Sequence, residues 1–292
     1  MIAIEELATL HGRMTAWRRH LHAHPETAFA EHATAAYIAE RLREARVDAV
    51  HTGLAGTGVI GVVAAGKSGR AIGLRADLDA LDVTEATGLP YASRTAGKMH
   101  ACGHDGHTTM LLGAAERLAA TRRFDGTVYL IFQPAEENEG GGRRMVEEGL
   151  FERFAMESVF GLHNIPGIPA GHFAVMPGPM MASYDIFELL ITGRGGHGAM
   201  PHTTIDPIVV GVETVQALQT IVSRTVDPMA PAVVSVTQFH AGDTWNVIPN
   251  AATIRGTVRA FDTAVQTQVE TQIGRLAEGV AGAHGASVAM HY

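Results

Sequence analysis

The chain has 292 residues, which exceeds the usual size of one compact domain and predicts two domains. Hydrophobic residues make up 46% and charged residues 18%, a balance typical of a globular protein with a large core. The net charge of −8 does not favour nucleic acid or an anionic membrane as a partner, and no apolar run approaches the ~18 residues that span a bilayer. The single cysteine, Cys102, excludes an internal disulfide, and no signal peptide is recognisable, so we expect a cytoplasmic protein.

The first 181 residues alternate between helical and strand-like patterns. The predicted elements are helices at 4–22 and 31–46, strands at 58–65 and 71–76, a helix through 110–118, and buried strands at 127–132 and 158–162. Strands that alternate with helices predict an α/β domain with a mainly parallel central sheet.

The pattern changes near Ala182, so we expect a second domain over 182–292. Its predicted elements are a strand at 184–192, a helix at 206–224, strands at 233–238 and 252–260, a helix at 263–283 and a strand at 287–291. Pro207 suits the first position of the first helix, and Thr263 with Gln266 would form a capping box for the second. This β-α-β-β-α-β order predicts a ferredoxin-like α+β unit.

The segment HACGHDGH at 100–107 concentrates potential metal ligands within eight residues. Cys102 and His104 are two residues apart, so both side chains can point to one side of an extended loop. Thiolate and imidazole ligands suit zinc and other borderline metals. The alternative is a His-rich surface loop at a helix start, with Asp105 as the cap. We expect His100 and His107 to support the site or to belong to the helix.

Two further segments follow predicted buried strands. Glu136 and Glu137 come directly after the strand at 127–132, where open α/β sheets place their sites, so one carboxylate can bind metal while the other stays free as a base. His163 ends the next strand. An acidic solvated loop and a structural histidine are the alternatives, but three successive segments that each offer ligands favour a metal site.

Other polar segments give weaker signals. His197 lies among glycines that allow close approach of a substrate or another surface, although a mobile turn explains the glycines equally well. Asn246 lies in a loop and is a candidate for substrate binding. Asp77, Asp79 and Asp82 follow a strand, and we expect them to orient a ligating imidazole rather than to bind metal. On the first helix, a polar face is expected from Arg18, Arg19, His20, His22 and His24, and one of these side chains could support the metal site.

Together these motifs resemble the M20 family of metallo-amidohydrolases and peptidases. The matching segments are RRHLHAHPE, GLRADLDAL, MHACGHDGH, FQPAEE, GLHN and GRGGHGAMPH, in that order along nearly the whole chain. The resemblance is strongest to hippurate hydrolases, N-acyl-amino-acid amidohydrolases and auxin-conjugate hydrolases. It implies hydrolysis of the amide bond of N-acyl amino acids by a zinc-peptidase-like catalytic domain, 1–181, with a lid or dimerisation domain, 182–292.

The resemblance also implies roles for individual residues. Metal ligands of a two-ion site match Cys102, His104, Glu137 and His163, with Cys102 as the bridge. Glu136 matches the general base. His197 matches a histidine that reaches the partner subunit's site in related homodimers, and Asn246 matches a residue near the substrate carboxylate. The ions would be manganese or zinc, with nickel or cobalt also compatible.

Members of this family continue beyond the position where this sequence ends. The resemblance therefore implies that the C-terminal part of the catalytic domain, with one more histidine ligand, is absent after Tyr292. Two alternatives to an N-acyl-amino-acid amidohydrolase follow. One is a dipeptidase or carboxypeptidase of the same family, and the other is a truncated, inactive fragment that binds metal or dimerises.

Overall fold

The computed structural model describes residues 4–292. They form two compact units, of which one ends at Gly167 and the other runs from Ile168 to Tyr292. This division and the boundary predicted at 182 both fall in the irregular connection between the last strand of the first unit and the first strand of the second.

The first unit contains helices and strands in alternation. They are α1 (Ile4–Ala23), α2 (His32–Glu44), β1 (Ala49–Leu54), β2 (Gly58–Ala65), β3 (Ala71–Asp77), α3 (His104–Thr121), β4 (Gly126–Gln133), α4 (Gly141–Glu147), α5 (Leu150–Arg153) and β5 (Ser158–Gly161). The strands form one sheet in the order β1-β2-β4-β3-β5. β3 pairs in parallel with β4 and β5, whereas β2 is antiparallel to both of its neighbours. Four strands therefore point the same way, which confirms the predicted α/β fold with a mainly parallel sheet.

Two strands differ from the sequence prediction. β1 was not predicted, because AVHTGL lacks a clear apolar pattern and the strand pairs with β2 alone at one edge. β5 was predicted to be buried, but this is wrong, since all four of its residues are exposed. β5 forms the other edge of the sheet, and an apolar run does not reveal whether its two faces are covered.

Alternate side chains of the central strands enter two separate cores. Val59 and Phe132 pack with α1, α2 and α3 on one face, whereas Ile60 and Ile131 pack with α4 and α5 on the other. Both faces are covered because successive residues of a strand point to opposite sides. The apolar residues of these helices face the sheet.

None of the described helices combines the length and apolar character needed to cross a membrane.

The second unit has the ferredoxin-like order that the sequence predicts. Its elements are β6 (Asp185–Thr192), β7 (Gly196–His197), a 3-10 turn (Pro201–Thr203), α6 (Pro207–Thr220), a π-helical turn (Ile221–Thr225), β8 (Ala232–Ala241), β9 (Val247–Ile248), β10 (Ala251–Ala260), α7 (Thr263–Ala283) and β11 (Ser287–His291). The main sheet has the order β11-β6-β10-β8, and all its pairings are antiparallel. Leu189 of β6, Leu218 of α6 and Ile273 of α7 belong to one buried cluster, so both helices pack on this sheet.

The helix starts in this unit agree only partly with the prediction. Pro207 opens α6 as expected, and Asp206 accepts a hydrogen bond from the Ile208 N–H. The capping box at Thr263 is wrong, because Asp262 caps α7 by accepting from the N–H groups of Ala264 and Val265. Gln266 instead donates its amide to Asp185 at 2.6 Å. Aspartate is a stronger N-cap than threonine, and it lies one residue earlier.

Candidate metal centre

The potential ligands of the first unit meet at one edge of its sheet. Asp77 ends β3, the Glu136–Glu137 pair follows β4, and His163 follows β5. Because these three strands are parallel, their carboxyl ends lie on the same side. His104 begins α3 and enters this group from the adjoining loop. The fold therefore gathers segments that are far apart in sequence.

His104 is fully buried and oriented by Asp79. Its Nδ1 lies 2.8 Å from the Asp79 carbonyl oxygen and 3.2 Å from Asp79 Oδ1. These acceptors fix a proton on Nδ1, so the lone pair of Nε2 is free when the ring is neutral. Burial disfavours the charged ring, but the Asp79 hydrogen bond and the charge of Asp77 raise the pKa of His104. Nε2 has no hydrogen-bond partner within residues 4–292. The prediction that an aspartate after β3 orients a ligating imidazole fits this geometry for Asp79.

Glu137 and Cys102 lie opposite this free nitrogen. Glu137 Oε1 is 3.7 Å from His104 Nε2 and is itself buried without a hydrogen-bond partner in the part of the chain that the structure describes. Ligand atoms of Cys102, His104 and Glu137 all lie within 4.8 Å of one another. Burial, followed by the nearby Glu137 carboxylate, raises the pKa of the Cys102 thiol to about 12. A bound cation reverses this effect by favouring the thiolate.

His163 completes the cluster from the end of β5. Its Nε2 lies 3.3 Å from Cys102 Sγ, and its Nδ1 lies 2.7 Å from the Asn164 carbonyl oxygen. His163 also belongs to a second group of potential ligands, with Asp77, His104 and His107. The two groups share His104, so the four predicted ligands, Cys102, His104, Glu137 and His163, lie around one location.

Asp77 and His107 have other hydrogen bonds. His107 Nε2 accepts from the Asn164 N–H at 3.0 Å, so its Nδ1 carries the proton and donates to Asp77 Oδ1 at 2.6 Å. Arg75 donates to Asp77 Oδ2 at 2.8 Å. Burial favours the neutral carboxyl, but the His107 hydrogen bond and the charges of His104 and Arg75 hold the pKa of Asp77 at about 2. Asp77 and His107 therefore have hydrogen-bond partners of their own, and they support the residues around them.

Glu136 lies beside the cluster without joining it. Its Oε2 is 3.8 Å from His104 Nε2, and its side chain is 40% exposed. Burial raises the pKa of Glu136, the charge of His104 opposes this, and the carboxylates of Asp77 and Glu137 add to the rise. A partly exposed carboxyl group with a raised pKa next to potential metal ligands suits a group that accepts and returns a proton.

Two side chains of the first helix, His22 and Arg18, form hydrogen bonds with the start of α3. His22 was expected on a polar helix face, but it is 4% exposed. Its Nδ1 lies 2.9 Å from Asp105 Oδ2, and Arg18 donates to the same oxygen at 3.3 Å. Asp105 lies in the first turn of α3, whose N-cap is Gly103 and not Asp105. α1 therefore holds the start of α3, where His104 lies.

His197 and Asn246, the two weaker candidates, are neighbours in the second unit. β7 pairs with β9 so that His197 is opposite Val247, and Gly198 N–H donates to the Asn246 carbonyl oxygen at 2.8 Å. Ala199 N–H donates to His197 Nδ1 at 3.1 Å, which leaves Nε2–H as an exposed donor in the neutral ring. A Cβ atom on Gly195 would lie 2.5 Å from the Ile248 carbonyl oxygen. Close packing of this backbone therefore accounts for at least one of the flanking glycines.

The buried donor set fits a divalent cation. Two unpartnered buried atoms, His104 Nε2 and Glu137 Oε1, face each other beside a thiol, and such atoms are costly to bury unless something binds them. Imidazole, thiolate and carboxylate are the ligands that zinc and other first-row transition metals take. Together with the free carboxyl group of Glu136, this set defines a metal-dependent hydrolase.

Comparison with known proteins identifies the family. The model of Peptidase family M20/M25/M40 matches residues 73–289, and the chain belongs to this family. Hippurate hydrolase from Campylobacter jejuni is 45% identical over 284 residues, which are 97% of this chain and 74% of that protein. N-acyl-L-amino acid amidohydrolase from Geobacillus stearothermophilus is 44% identical over 93% of this chain and 73% of its own length. The chain is therefore a metal-dependent amidohydrolase.

Two further similarities bear on substrate and metal content. Thermostable carboxypeptidase 1 from Saccharolobus solfataricus is 39% identical over 92% of this chain and 69% of that protein. A solved structure from Bacillus subtilis, described as a dinuclear metal binding peptidase from the M20 family, superposes with a TM-score of 0.79 at 39% identity. It covers 97% of this chain and 73% of that one. Both similarities confirm the family.

Proposed function

We propose that this chain hydrolyses the amide bond of N-acyl amino acids of the hippurate type with two divalent metal ions. The products would be a carboxylic acid and a free amino acid. The observation that carries the proposal is the pair of unpartnered buried atoms, His104 Nε2 and Glu137 Oε1, beside the unligated Glu136. The similarity to a hippurate hydrolase and to an N-acyl-L-amino acid amidohydrolase supports this substrate class.

The proposed ligands are Cys102, His104, Glu137 and His163. Cys102 Sγ lies 3.3 Å from His163 Nε2 and within 4.8 Å of ligand atoms of His104 and Glu137, so these four side chains would hold the ions together. Manganese or zinc would occupy the site, and the mixed thiolate, imidazole and carboxylate set also accepts nickel or cobalt. The named relative that binds two metals supports the number of ions.

Glu136 would move the proton during the reaction. When bound, the metal ions lower the pKa of a water molecule towards neutrality and polarise the substrate carbonyl. Glu136 would accept the proton of the attacking water on a carboxylate oxygen and then donate it to the nitrogen of the leaving amine. Burial raises the pKa of Glu136, which suits a carboxyl group that both accepts and returns a proton.

The second unit would supply substrate contacts. His197 offers an exposed Nε2–H donor that suits a developing oxyanion, and the side chain of Asn246 suits the substrate carboxylate. The resemblance to related dimers suggests that His197 acts at the active site of the partner subunit of a homodimer. The backbone bond between Gly198 and Asn246 would keep the two side chains in a constant spatial relation.

A carboxypeptidase activity is the second candidate, supported by the similarity to thermostable carboxypeptidase 1. It needs the same metal ligands and the same base, so only the substrate distinguishes it. Hippurate and N-acetyl amino acids should therefore be compared with dipeptides and longer peptides after loading the chain with manganese or zinc. Faster hydrolysis of the acyl amino acids supports the proposal, and faster hydrolysis of peptides favours the second candidate. Metal binding without any hydrolysis would instead indicate an inactive metal-binding protein.

A further inference from the structure

Glu31 is a buried carboxylate that none of the roles above explains. It is the N-cap residue of α2, yet its side chain does not cap the helix, and its relative exposure is 0%. Its Oε1 accepts the Ala135 N–H at 2.9 Å, and its Oε2 accepts the Thr57 hydroxyl at 2.7 Å. A carboxylate is costly to bury unless hydrogen bonds replace its water. Both of its oxygens thus connect α2 to other segments of the chain.

Ala135 has an unfavourable backbone conformation just before the two catalytic-site glutamates. Its φ of 49° lies in the left-handed region, which is disfavoured for a residue with a Cβ atom, and its side chain is fully buried. Its carbonyl oxygen accepts the Gly141 N–H at 2.9 Å. The Ala135 residue is thus held on its N–H side by Glu31 and on its carbonyl side by Gly141.

This conformation sets the direction in which the chain leaves β4. Glu136 and Glu137 follow Ala135 directly, and the Glu137 N–H donates to Asp79 Oδ2 at 3.0 Å. The loop is therefore fixed by two carboxylates, Glu31 before the glutamates and Asp79 at Glu137. If the bond to Glu31 is lost, the buried Ala135 N–H has no acceptor, and a negative φ at Ala135 becomes favourable. The glutamates would then turn away from His104.

We propose that Glu31 is a positioning residue that keeps Ala135 in its left-handed conformation and thereby places Glu137 and Glu136 at the metal centre. The inference rests on the proposed roles of these two glutamates. It does not give Glu31 any contact with metal or substrate. Metal affinity should therefore depend on the hydrogen bond that the Ala135 N–H donates to Glu31 and not on the one that the Thr57 hydroxyl donates to it.

The test measures zinc binding by isothermal titration calorimetry of the metal-free chain, with circular dichroism to confirm folding. Glu31→Leu removes both acceptors at a similar side-chain volume, and we expect it to raise the zinc Kd about 10–100-fold, as loss of a residue that orients ligands does. Glu31→Gln should bind zinc like the parent, because its carbonyl oxygen can accept from Ala135 while its amide donates to Thr57. Ala135→Gly combined with Glu31→Leu should recover part of the affinity, since glycine adopts positive φ readily.

Thr57→Val is the matched control for a purely structural role. It breaks the other hydrogen bond of the same carboxylate and should lower the thermal midpoint without changing the zinc Kd. Should Glu31→Leu fail to fold, Glu31→Met replaces it, because an unbranched side chain of similar length also lacks the carboxylate that accepts from Ala135. Unchanged zinc affinity in a folded variant that lacks both acceptors, Glu31→Leu or Glu31→Met, or an equal loss in Thr57→Val, overturns the inference alone. A parent chain that binds no zinc overturns the proposed function as well.

Discussion

The metal centre of the first unit and the His197–Asn246 segment of the second are held in different ways. At the metal centre, buried side chains fix other side chains: Asp79 orients His104, and Asp77 holds His107. In the second unit, pairing of β7 with β9 fixes the backbone, and the side chain of His197 remains exposed. The first arrangement suits ions that need defined geometry, whereas the second leaves side chains available to a substrate.

This difference predicts how each region responds to substitution. A network of buried polar groups loses function when a member that positions a ligand is removed, because the loss leaves the partner of that member unsatisfied. A segment fixed by its backbone keeps its shape when an exposed side chain is shortened. Metal binding should therefore depend on many residues of the first unit and on neither His197 nor Asn246.

The largest expected effect is on turnover. Glu136→Gln removes the proton acceptor while keeping the size of the side chain, and we expect kcat for hippurate to fall about 10²–10⁴-fold. The zinc Kd should stay unchanged, since Glu136 is not among the proposed ligands. Glu139→Gln, at an exposed position of the same loop, is the matched control and should retain activity. Normal kcat in Glu136→Gln would refute the role of this residue as the base.

The next effect compares two histidines directly. His104→Ala removes a proposed ligand, so its zinc Kd should rise by more than about 100-fold, beyond the effect of losing a supporting residue. His197→Ala should bind zinc with the parent Kd and lower kcat. Calorimetry and hippurate assays on both variants separate the two outcomes. A similar loss of zinc affinity in both variants would show that the His197–Asn246 segment takes part in metal binding as the metal centre of the first unit does.

A smaller effect is expected from the residue that orients His104. Asp79→Asn weakens the acceptor for His104 Nδ1 and perturbs the bond from the Glu137 N–H, so the zinc Kd should rise about 10–100-fold. Asp82→Asn provides the control, because the Asp82 side chain is 75% exposed. Equal zinc affinities in Asp79→Asn and Asp82→Asn would show that the hydrogen bonds of the Asp79 carboxylate do not influence metal binding.

The smallest effect concerns the stability of the second unit. Asp262→Ala removes the N-cap of α7 and should lower the free energy of unfolding by about 1 kcal/mol, as measured by urea denaturation. Zinc affinity should not change, because the proposed ligands all lie in the first unit. A loss of zinc binding in this variant would indicate that the centre depends on the second unit for its formation.

Much of the fold follows from local patterns in the sequence. Apolar runs and helix starts predict the central strands β2, β3 and β4 and the ferredoxin-like order, because these strands are covered on both faces. The edge strands are harder, since β1 has a mixed composition and the apolar β5 is exposed. Edge position depends on which strands pair, and pairing is not a local property of the sequence.

In the site as well, local features could be predicted, whereas contacts between distant residues could not. The proximity of Cys102, His104, Glu137 and His163 could be predicted, because Glu137 and His163 follow strands, His104 begins α3 and Cys102 lies two residues before it. Their role as ligands stays a proposal. Among the supporting contacts, the orientation of an imidazole by an aspartate after β3 could be predicted, as Asp79 shows, but the partners of Glu31 and His22 could not. Glu31 bonds Ala135, a residue 104 positions away, and His22 bonds Asp105, 83 positions away. Nothing in the spacing of these residues marks such pairs, and the constraint at Ala135 is visible only in its positive φ.

We expect the segments that follow β3, β4 and β5 to bind the same metal ions. A crystal structure of the zinc-loaded chain, with anomalous data collected at the zinc edge, tests it most directly. We predict two peaks, with Cys102 Sγ, His104 Nε2, Glu137 Oε1 and His163 Nε2 about 2.0–2.3 Å from a metal and Glu136 unbound. Zinc bound elsewhere, or these four side chains left without a metal at full zinc occupancy, would contradict the account.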